Sequence, residues 1–232
     1  MKKLLLLLLT SYTLMADALP QSITTTIKNM NNNGQITLAT SVPKGMSGIV
    51  VHDYGNGLTA ITNAVVTDKN GKATLLNYTA ISHDNIPNIK TASKVNDKVV
   101  LGNFYNNALI IAPNAAIYTA ISKKFKKTWI HPDRFALDFM HDSQSSITLD
   151  NIKKFAKKNQ VGLVLIYSNA GLLFLDPISQ KVIGKTKVFG NAKETMNPFY
   201  ARFEQMDTST FGMSNVTLTD YYKAVNAIAS EK

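Results

Sequence analysis

The chain has 232 residues, of which 45% are apolar, and it contains no cysteine, which excludes disulfides, thiol catalysis and cysteine-based metal sites. Two of its 25 basic residues are the arginines Arg134 and Arg202 and the other 23 are lysines, a balance that disfavours specific recognition of nucleic acid. The formal net charge of +10 still favours acidic partners, including anionic membrane surfaces.

The first 18 residues have the pattern of a secretory signal peptide. Lys2 and Lys3 precede the apolar run Leu4–Leu9, and Ala16-Asp17-Ala18 has the small-x-small form of a cleavage site. The apolar run is too short to span a bilayer as a stable helix, although a permanent N-terminal anchor is the alternative. We expect residues 1–18 to be removed and the mature protein, without a transmembrane segment, to reach the periplasm or the cell surface.

Residues 19–121 are predicted to form a β-rich domain. Short apolar runs alternate there with Asn/Gly turns such as Asn31–Gly34. A weak repeat at a spacing of 50 aligns Ile49–Val51 with Val99–Leu101 and Asn56 with Asn106. We interpret each copy as strand, tight turn and strand in a duplicated small β-barrel or sandwich unit, and likeness of composition alone is the alternative.

Residues 128–232 are predicted to form an α/β domain around a short sheet, after a basic connector at residues 122–127. Its three strands are predicted at Val161–Ile166, Leu172–Leu175 and Lys181–Phe189, bounded by Asn, Gly, Asp and Pro. The first two lack polar alternation, which predicts cover on both faces. The third alternates Val182 and Thr186 with lysines, as an edge strand facing water does.

Helices are predicted on either side of this sheet. Thr148 is expected to cap a helix that runs to Asn159, with an apolar stripe on one face and four lysines on the other. Two further helices are predicted at residues 195–205 and 217–230. The predicted fold class is therefore α+β, with a β-rich N-terminal half and an α/β C-terminal half.

The sharpest local motif is His131-Pro132-Asp133, which follows the basic run Lys123–Lys127. This order resembles the loop and basic helix of J-domain co-chaperones, in which the tripeptide stimulates an Hsp70 partner. The helix that should precede the basic one is not predicted, because Leu109–Ala116 has the pattern of a strand and contains Pro113. We therefore favour an Asp/Pro turn beside a histidine.

The titratable residues do not form a recognisable catalytic pattern. Histidines with an acid as the next residue cannot share a ligand with it on a strand, because adjacent side chains point to opposite faces. Ser168 lacks the glycine framing of a nucleophile elbow. We predict a binding protein without a cofactor rather than an enzyme. The alternative is a metal-dependent hydrolase that assembles the distant residues His131, Asp133, His141 and Asp142.

Three segments carry a family resemblance: Ser47–His52, Val100–Asn114 and Gln160–Ile166. With them the whole mature chain resembles the N-terminal domain of the bacterial plasminogen-binding protein A family. The resemblance implies an exported, non-enzymatic protein with a surface or periplasmic role in host–pathogen interaction, and it implies binding of host plasminogen. The alternative is a periplasmic structural or scaffolding protein without a plasminogen role.

Lys232 is the contact that this resemblance implies. Plasminogen kringles recognise lysine, and a C-terminal lysine suits them best because its ammonium and carboxylate fit a pocket with charges of both signs. The longer members of the family carry a Lys-rich tail beyond this domain, and this sequence ends at Glu231-Lys232. We expect Lys232 to be the principal plasminogen contact and the lysines of Lys153–Lys158 to contribute weakly.

Overall fold

Two β-sheets organise the part of the chain that the computed structural model describes, which is residues 19–78, 91–187, 190, 192, 194–203 and 217–230. The first sheet is a closed six-stranded barrel, and the second is a five-stranded mixed sheet with helices packed on it. The predicted α+β class, with a β-rich N-terminal half, is therefore confirmed. The predicted signal peptide lies outside the described residues.

The barrel closes because its first strand pairs with its second and its last. Its strands are β1 (Ile23–Met30), β2 (Gln35–Leu38), β3 (Ser47–Gly55), β4 (Leu58–Thr67), β5 (Lys72–Leu76) and β6 (Lys98–Leu101), in the order β1-β2-β5-β4-β3-β6. All pairs are antiparallel. Ile27, Val50, Val65 and Val99 are fully buried, as expected for alternate residues that point into a closed barrel.

The second sheet contains the three strands predicted around residue 170 and two more from earlier in the chain. Its strands are β7 (Asn107–Ile111), β8 (Thr128–Ile130), β9 (Leu163–Ser168), β10 (Gly171–Asp176) and β11 (Lys181–Thr186), in the order β11-β10-β9-β7-β8. Strand β7 runs parallel to β8 and β9, and the other pairs are antiparallel. Every residue of β9 and β10 is buried, and β11 is an edge strand, as predicted.

Both faces of this sheet are covered, which explains the missing polar alternation in β9 and β10. One face joins the barrel interior in a single apolar core, in which Leu165 and Phe174 lie with Ile27 and Val50. The opposite face packs on three of the helices, through Val164 and other residues. The sheet therefore lies between the barrel and these three helices.

Four α-helices occur in the described ranges: α1 (Ala115–Lys124), α2 (Pro132–His141), α3 (Leu149–Asn159) and α4 (Tyr221–Ser230). Helix α3 is as predicted, and Thr148 and Asn151 form a reciprocal capping box at its start. Helix α4 begins four residues after the predicted start. The helix predicted at 195–205 is wrong for its described residues, 195–203, which form bends and irregular chain.

Helix α1 occupies part of the segment predicted as strand and basic connector. Asn114 caps it by accepting a hydrogen bond from the Ile117 amide, and Pro113 lies just before the cap, where a proline does not interrupt a helix. Ile117 and Ile121 are buried in the core that the sheet shares with the barrel. The apolar residues that suggested a strand therefore belong to one face of a helix.

The chain passes from the barrel to the second sheet between Leu101 and Asn107, before the predicted domain limit at residue 121. This crossing also bears on the repeat. In the first copy, β3 and β4 form one antiparallel hairpin, whereas in the second copy β6 and β7 belong to different sheets. The predicted duplication of one structural unit is therefore wrong. The division into domains 19–121 and 128–232 stays a prediction.

Candidate functional site

A buried carboxylate joins the barrel to the second sheet. Asp176, at the end of β10, is fully buried, and its Oδ2 accepts hydrogen bonds from the Ser47 amide (2.7 Å), the Ser47 hydroxyl (2.8 Å) and the Tyr105 hydroxyl (2.7 Å). Its Oδ1 accepts hydrogen bonds from the amides of Ile178 (3.0 Å) and Ser179 (2.9 Å) in the turn that follows β10. We call Ser47, Tyr105 and Asp176 the Asp176 junction.

The junction is built to hold charge rather than to react. Burial, followed by the charge of Asp176, raises the pKa of Tyr105 well above its usual range, so the phenol stays protonated and donates. Five donors leave the carboxylate fully satisfied, which is the condition for a buried charge to be tolerated. The hydrogen bonds of Asp176 therefore have a structural role: they connect the barrel to the second sheet.

The His131-Pro132-Asp133 tripeptide begins helix α2. His131 is the N-cap, and its Nδ1 accepts a hydrogen bond from the Asp133 amide (3.2 Å). The Asp133 carboxylate accepts the Arg202 amide (2.9 Å) and the Arg202 Nε (2.7 Å). Partial burial acts to raise the pKa of Asp133, but the hydrogen bonds from Arg202 and the charge of His131 outweigh it and lower the pKa.

The favoured interpretation of the tripeptide as an Asp/Pro turn is wrong, because Pro132 takes the first position of a helix, where the missing amide of a proline is not needed. Strand β8, paired with β7, lies between helix α1 and His131, so the described chain does not form the helix–loop–helix of the J-domain alternative. Sequence reasoning missed the aromatic neighbours: the Tyr118 ring lies 5.2 Å from the His131 ring and 5.5 Å from the Tyr200 ring, between centroids. Burial, more than the nearby charges, raises the pKa of Tyr118.

The residues of the hydrolase alternative are not brought together. His131 and Asp133 lie at the start of α2, whereas His141 and Asp142 lie at its end, about 15 Å away along a ten-residue helix. His141 and Asp142 pair with each other (3.2 Å). In the described ranges, no group of three or more histidine or acidic side chains could hold a metal ion.

His52 has a partner that its neighbours in sequence did not reveal. Its Nδ1 lies 2.7 Å from the Asp97 Oδ1, across the barrel strands, whereas the adjacent Asp53 carboxylate accepts the Gly55 amide instead. The other Asp97 oxygen accepts the Lys94 amide (2.7 Å). Because Asp97 is bonded at both oxygens, the pair tethers the loop before β6 to β3.

Two of the four lysines on α3 are engaged with acids. The Lys154 Nζ lies 2.6 Å from the Asp142 carboxylate, and the Lys158 Nζ lies 2.9 Å from the Asp138 carboxylate. Lys153 donates to the Gln180 side chain at 3.4 Å. This row of lysines is therefore partly neutralised by α2 and its C-terminal end.

A different set of lysines surrounds an open groove beside β11. The groove has a volume of about 380 Å³, and three exposed lysines lie around a mainly apolar floor. We define this lysine groove by Lys44, Lys181 and Lys185 with the lining residues Ala170, Leu173, Val182 and Ala229. None of the three lysines forms an ion pair with an acidic residue in the described part of the chain.

The pairing of β10 with β11 shapes the floor of the groove. Phe174 faces Gly184 and Leu175 faces Val182, so the register shifts by one residue between the two pairs. Val182, predicted to lie opposite the lysines, is 39% exposed and lines the groove with Lys181 and Lys185. The simple alternation expected for this strand is therefore wrong at Val182.

Lys44 reaches this groove from the barrel because Gly45 allows a close approach. Gly45 has φ +88°, and a Cβ there would lie 2.8 Å from the Lys181 Cβ. The Gly45 carbonyl accepts the Ser179 hydroxyl (2.5 Å), and its amide donates to the Thr67 carbonyl (2.9 Å). The loop that carries Lys44 is thus fixed against the turn that precedes β11.

Lys232, the predicted contact residue, lies outside the described residues. The last described helix, α4, ends at Ser230. Ala229, near that end, lines the lysine groove. Sequence reasoning did not find the groove, because Lys44 is remote in sequence from Lys181 and Lys185; the lysines of the predicted edge strand were the one available signal.

The described part of the chain thus combines a closed six-stranded barrel, a five-stranded mixed sheet and charged groups that are either paired within the fold or exposed. A family model described as "Plasminogen-binding protein pgbA N-terminal" matches residues 22–228, and the chain belongs to this family. The family resemblance of the sequence is therefore confirmed.

Two curated relatives carry the same name. Plasminogen-binding protein PgbA of Helicobacter pylori strain J99 is 24% identical over 176 residues, which cover 75% of this chain and 38% of the relative. PgbA of strain 26695 is 22% identical over 176 residues, covering 75% of this chain and 37% of the relative. The matched region thus spans less than two fifths of these relatives. No solved structure matches the chain significantly.

No helix in the described ranges is long and apolar enough to cross a bilayer.

Proposed function

We propose that this protein is an exported binding protein of the PgbA type, which binds host plasminogen through exposed lysines. The observation that carries the proposal is the family match over residues 22–228. The names of the two relatives support it, since both are called plasminogen-binding proteins. Those names also support a non-enzymatic role.

Lysine chemistry gives the proposal its mechanism. A kringle pocket with charges of both signs pairs with the ammonium of a lysine and, where the lysine is terminal, with its carboxylate. Lys232 offers both groups in a protein that ends at this residue. The lysines of α3 offer ammonium groups alone, and Lys154 and Lys158 already pair with Asp142 and Asp138. We therefore retain Lys232 as the proposed principal contact.

Binding of the purified 232-residue chain to immobilised plasminogen tests this function. We expect binding that a free lysine analogue competes away and that survives moderate salt better than a diffuse charge interaction would. Removal of Lys232 should lower the affinity much more than Lys157→Ala, the matched control on α3. Equal binding by wild type and the Lys232 deletion would reject Lys232 as the contact.

The absence of analogue-sensitive binding would favour the second candidate, a periplasmic structural or scaffolding protein. One observation supports that candidate: the matched region covers less than two fifths of each relative, so their named activity can reside in their other segments. In that case, a pull-down from envelope extract would identify the partner.

Export has its own test. Intact-mass measurement on protein from envelope fractions should find a chain that begins after Ala18, because residues 1–18 have the pattern of a signal peptide. Protein that still begins at Met1 and stays in the cytosol would reject export and, with it, a surface or periplasmic role.

A further inference from the structure

We propose that the outer edge of β11 and the lysine groove bind an acidic, extended peptide segment of a partner protein, which adds as a strand beside β11. This partner surface is defined by residues other than Lys232, the lysine–kringle contact proposed above. The proposal combines a sheet edge on which no further described strand lies, lysines without an acidic partner among the described residues, and an apolar floor.

The edge of the sheet supplies backbone hydrogen-bonding groups. Strand β11 is last in the sheet order and pairs with β10 on one side. Within the described ranges, residues 182–185 make no backbone hydrogen bond to a segment other than β10. An edge of this kind is the template for strand addition by an extended peptide.

The charges around the groove select the sign of the peptide. Lys44, Lys181 and Lys185 surround it, and no described acid pairs with them. Carboxylates on an added strand would lie beside these ammonium groups in a partly enclosed site, where their attraction is stronger than in bulk water. The protein's net charge of +10 also favours an acidic partner.

The apolar floor of the groove favours a peptide in which apolar residues alternate with acidic ones. Val182 is 39% exposed although it is apolar, and Leu173 lies beside it at the base. Successive side chains of a strand point to opposite faces, so a peptide that alternates acidic and apolar residues presents one type to each side. Such a peptide can cover Val182 while its carboxylates reach the lysines.

The same lysines argue against a second copy of this chain as the occupant. Two copies paired through β11 would bring Lys181 and Lys185 of each close to those of the other, and lysines on edge strands hinder such pairing. An acidic strand reverses this repulsion. The groove is also preformed, because Gly45 fixes the loop of Lys44 through its bonds to Ser179 and Thr67.

Fluorescence anisotropy with labelled peptides of about eight residues tests the proposal on the 232-residue protein. The first probe alternates Glu and Val, the second alternates Lys and Val, and the third is the Glu/Val peptide with a central proline, which cannot complete the strand pairing. We expect the first to bind measurably and the other two to bind at least about tenfold more weakly.

Two double variants of equal charge change separate the groove from the general charge of the protein. Lys181→Glu/Lys185→Glu should weaken the Glu/Val peptide by about tenfold or more. Lys28→Glu/Lys72→Glu, on exposed strand positions of the barrel, should change its affinity by less than about threefold. Circular dichroism and urea unfolding of both variants verify that each is folded.

Three results would overturn the proposal. Equal weakening in the two double variants would mean that net charge alone attracts the peptide. Undiminished binding of the proline peptide would exclude strand addition. If the Glu/Val peptide does not bind, the groove does not recognise acidic strands, and its lysines would instead serve to prevent pairing of this edge with other strands. A free lysine analogue should not compete with the peptide, so failure of plasminogen binding and failure of this proposal are distinguishable.

Discussion

The Asp176 junction and the lysine groove both lie where the barrel meets the second sheet, but the charged group is buried in the first and exposed in the second. Asp176 is fully buried and accepts five hydrogen bonds, three of them from Ser47 and Tyr105. The groove lysines are exposed and, among the described residues, have no acidic partner. From this comparison we expect Asp176 to support the fold through its hydrogen-bond donors, and the groove lysines to contribute little to folding.

Removal of the buried Asp176 carboxylate is expected to cause the largest loss of folding stability. Asp176→Ala leaves the Ser47 amide and hydroxyl, the Tyr105 hydroxyl and two turn amides without their acceptor in a buried place. We expect a loss of about 3–5 kcal/mol in the free energy of unfolding, measured by urea denaturation.

A surface acid provides the control for this variant. Asp138→Asn removes the pair with Lys158, whose side chain is 66% exposed, and should cost less than about 1 kcal/mol. Similar losses in both variants would mean that the barrel and the sheet do not depend on the junction, and the comparison would fail.

A smaller effect is expected from removal of one donor at the junction. Tyr105→Phe keeps the buried ring but deletes the hydroxyl that donates to Asp176, at a cost of about 1.5–3 kcal/mol near neutral pH. A change below about 0.5 kcal/mol in the free energy of unfolding would show that this hydrogen bond contributes little to the stability of the junction.

The same variant should change the alkaline dependence of stability. Burial raises the pKa of Tyr105 in the folded protein above the ordinary value of about 10, so its stabilisation is complete below that value and is lost as the pH rises above it. Urea midpoints at about pH 8 and about pH 10.5 should therefore differ less for Tyr105→Phe than for wild type. An equal decrease would contradict this assignment.

The approach of the Lys44 loop to β11 can be weakened through its glycine. In Gly45→Ala the new Cβ meets the Lys181 side chain at 2.8 Å, in addition to the strain of a positive φ, which costs about 1–2 kcal/mol. Gly55→Ala is a matched control, because Gly55 has φ +84° and no atom within 4 Å of the added Cβ.

We expect Gly45→Ala to lower the urea midpoint more than Gly55→Ala, and to weaken the Glu/Val peptide where the control does not. If both variants behave alike in both assays, the close approach at Gly45 does not position Lys44.

The smallest effect is expected from an exposed pair on the helices. The hydrogen bond from Lys154, followed by that from His141, lowers the pKa of Asp142, so the associated stability is present above the ordinary carboxyl range and is lost as the pH falls through the lowered pKa. Because the Lys154 side chain is 70% exposed, Asp142→Asn should cost about 0.2–1 kcal/mol near pH 7. Urea unfolding that shows the same cost at about pH 2 would contradict this origin.

Local patterns in the sequence predicted the elements that depend on local physics. The buried strands β9 and β10, the edge position of β11 and the capping of α3 by Thr148 follow from apolar runs, turn residues and a side-chain acceptor. Helix α1 was missed because buried residues of a short helix resemble those of a strand. At residues 195–203 tertiary contacts, such as the Tyr200 amide on the Ala112 carbonyl, replace the predicted helix.

The candidate sites depend on contacts between distant parts of the chain, which periodicity does not predict. Ser47 and Asp176 are 129 residues apart, and His52 pairs with Asp97 rather than with its neighbour Asp53. Lys44 joins the β11 lysines because a glycine permits one loop to lie against a turn. The sequence pattern predicted a barrel or a sandwich without deciding between them, since closure depends on which of six strands are neighbours.

The most direct test of the account is the urea unfolding of Lys181→Glu/Lys185→Glu beside that of Tyr105→Phe. If unpartnered charges serve binding rather than folding, the groove variant should keep its free energy of unfolding within about 0.5 kcal/mol of wild type, while Tyr105→Phe loses about 1.5–3 kcal/mol. A groove variant that loses as much stability as the junction variant would contradict the account, because its lysines would then stabilise the fold.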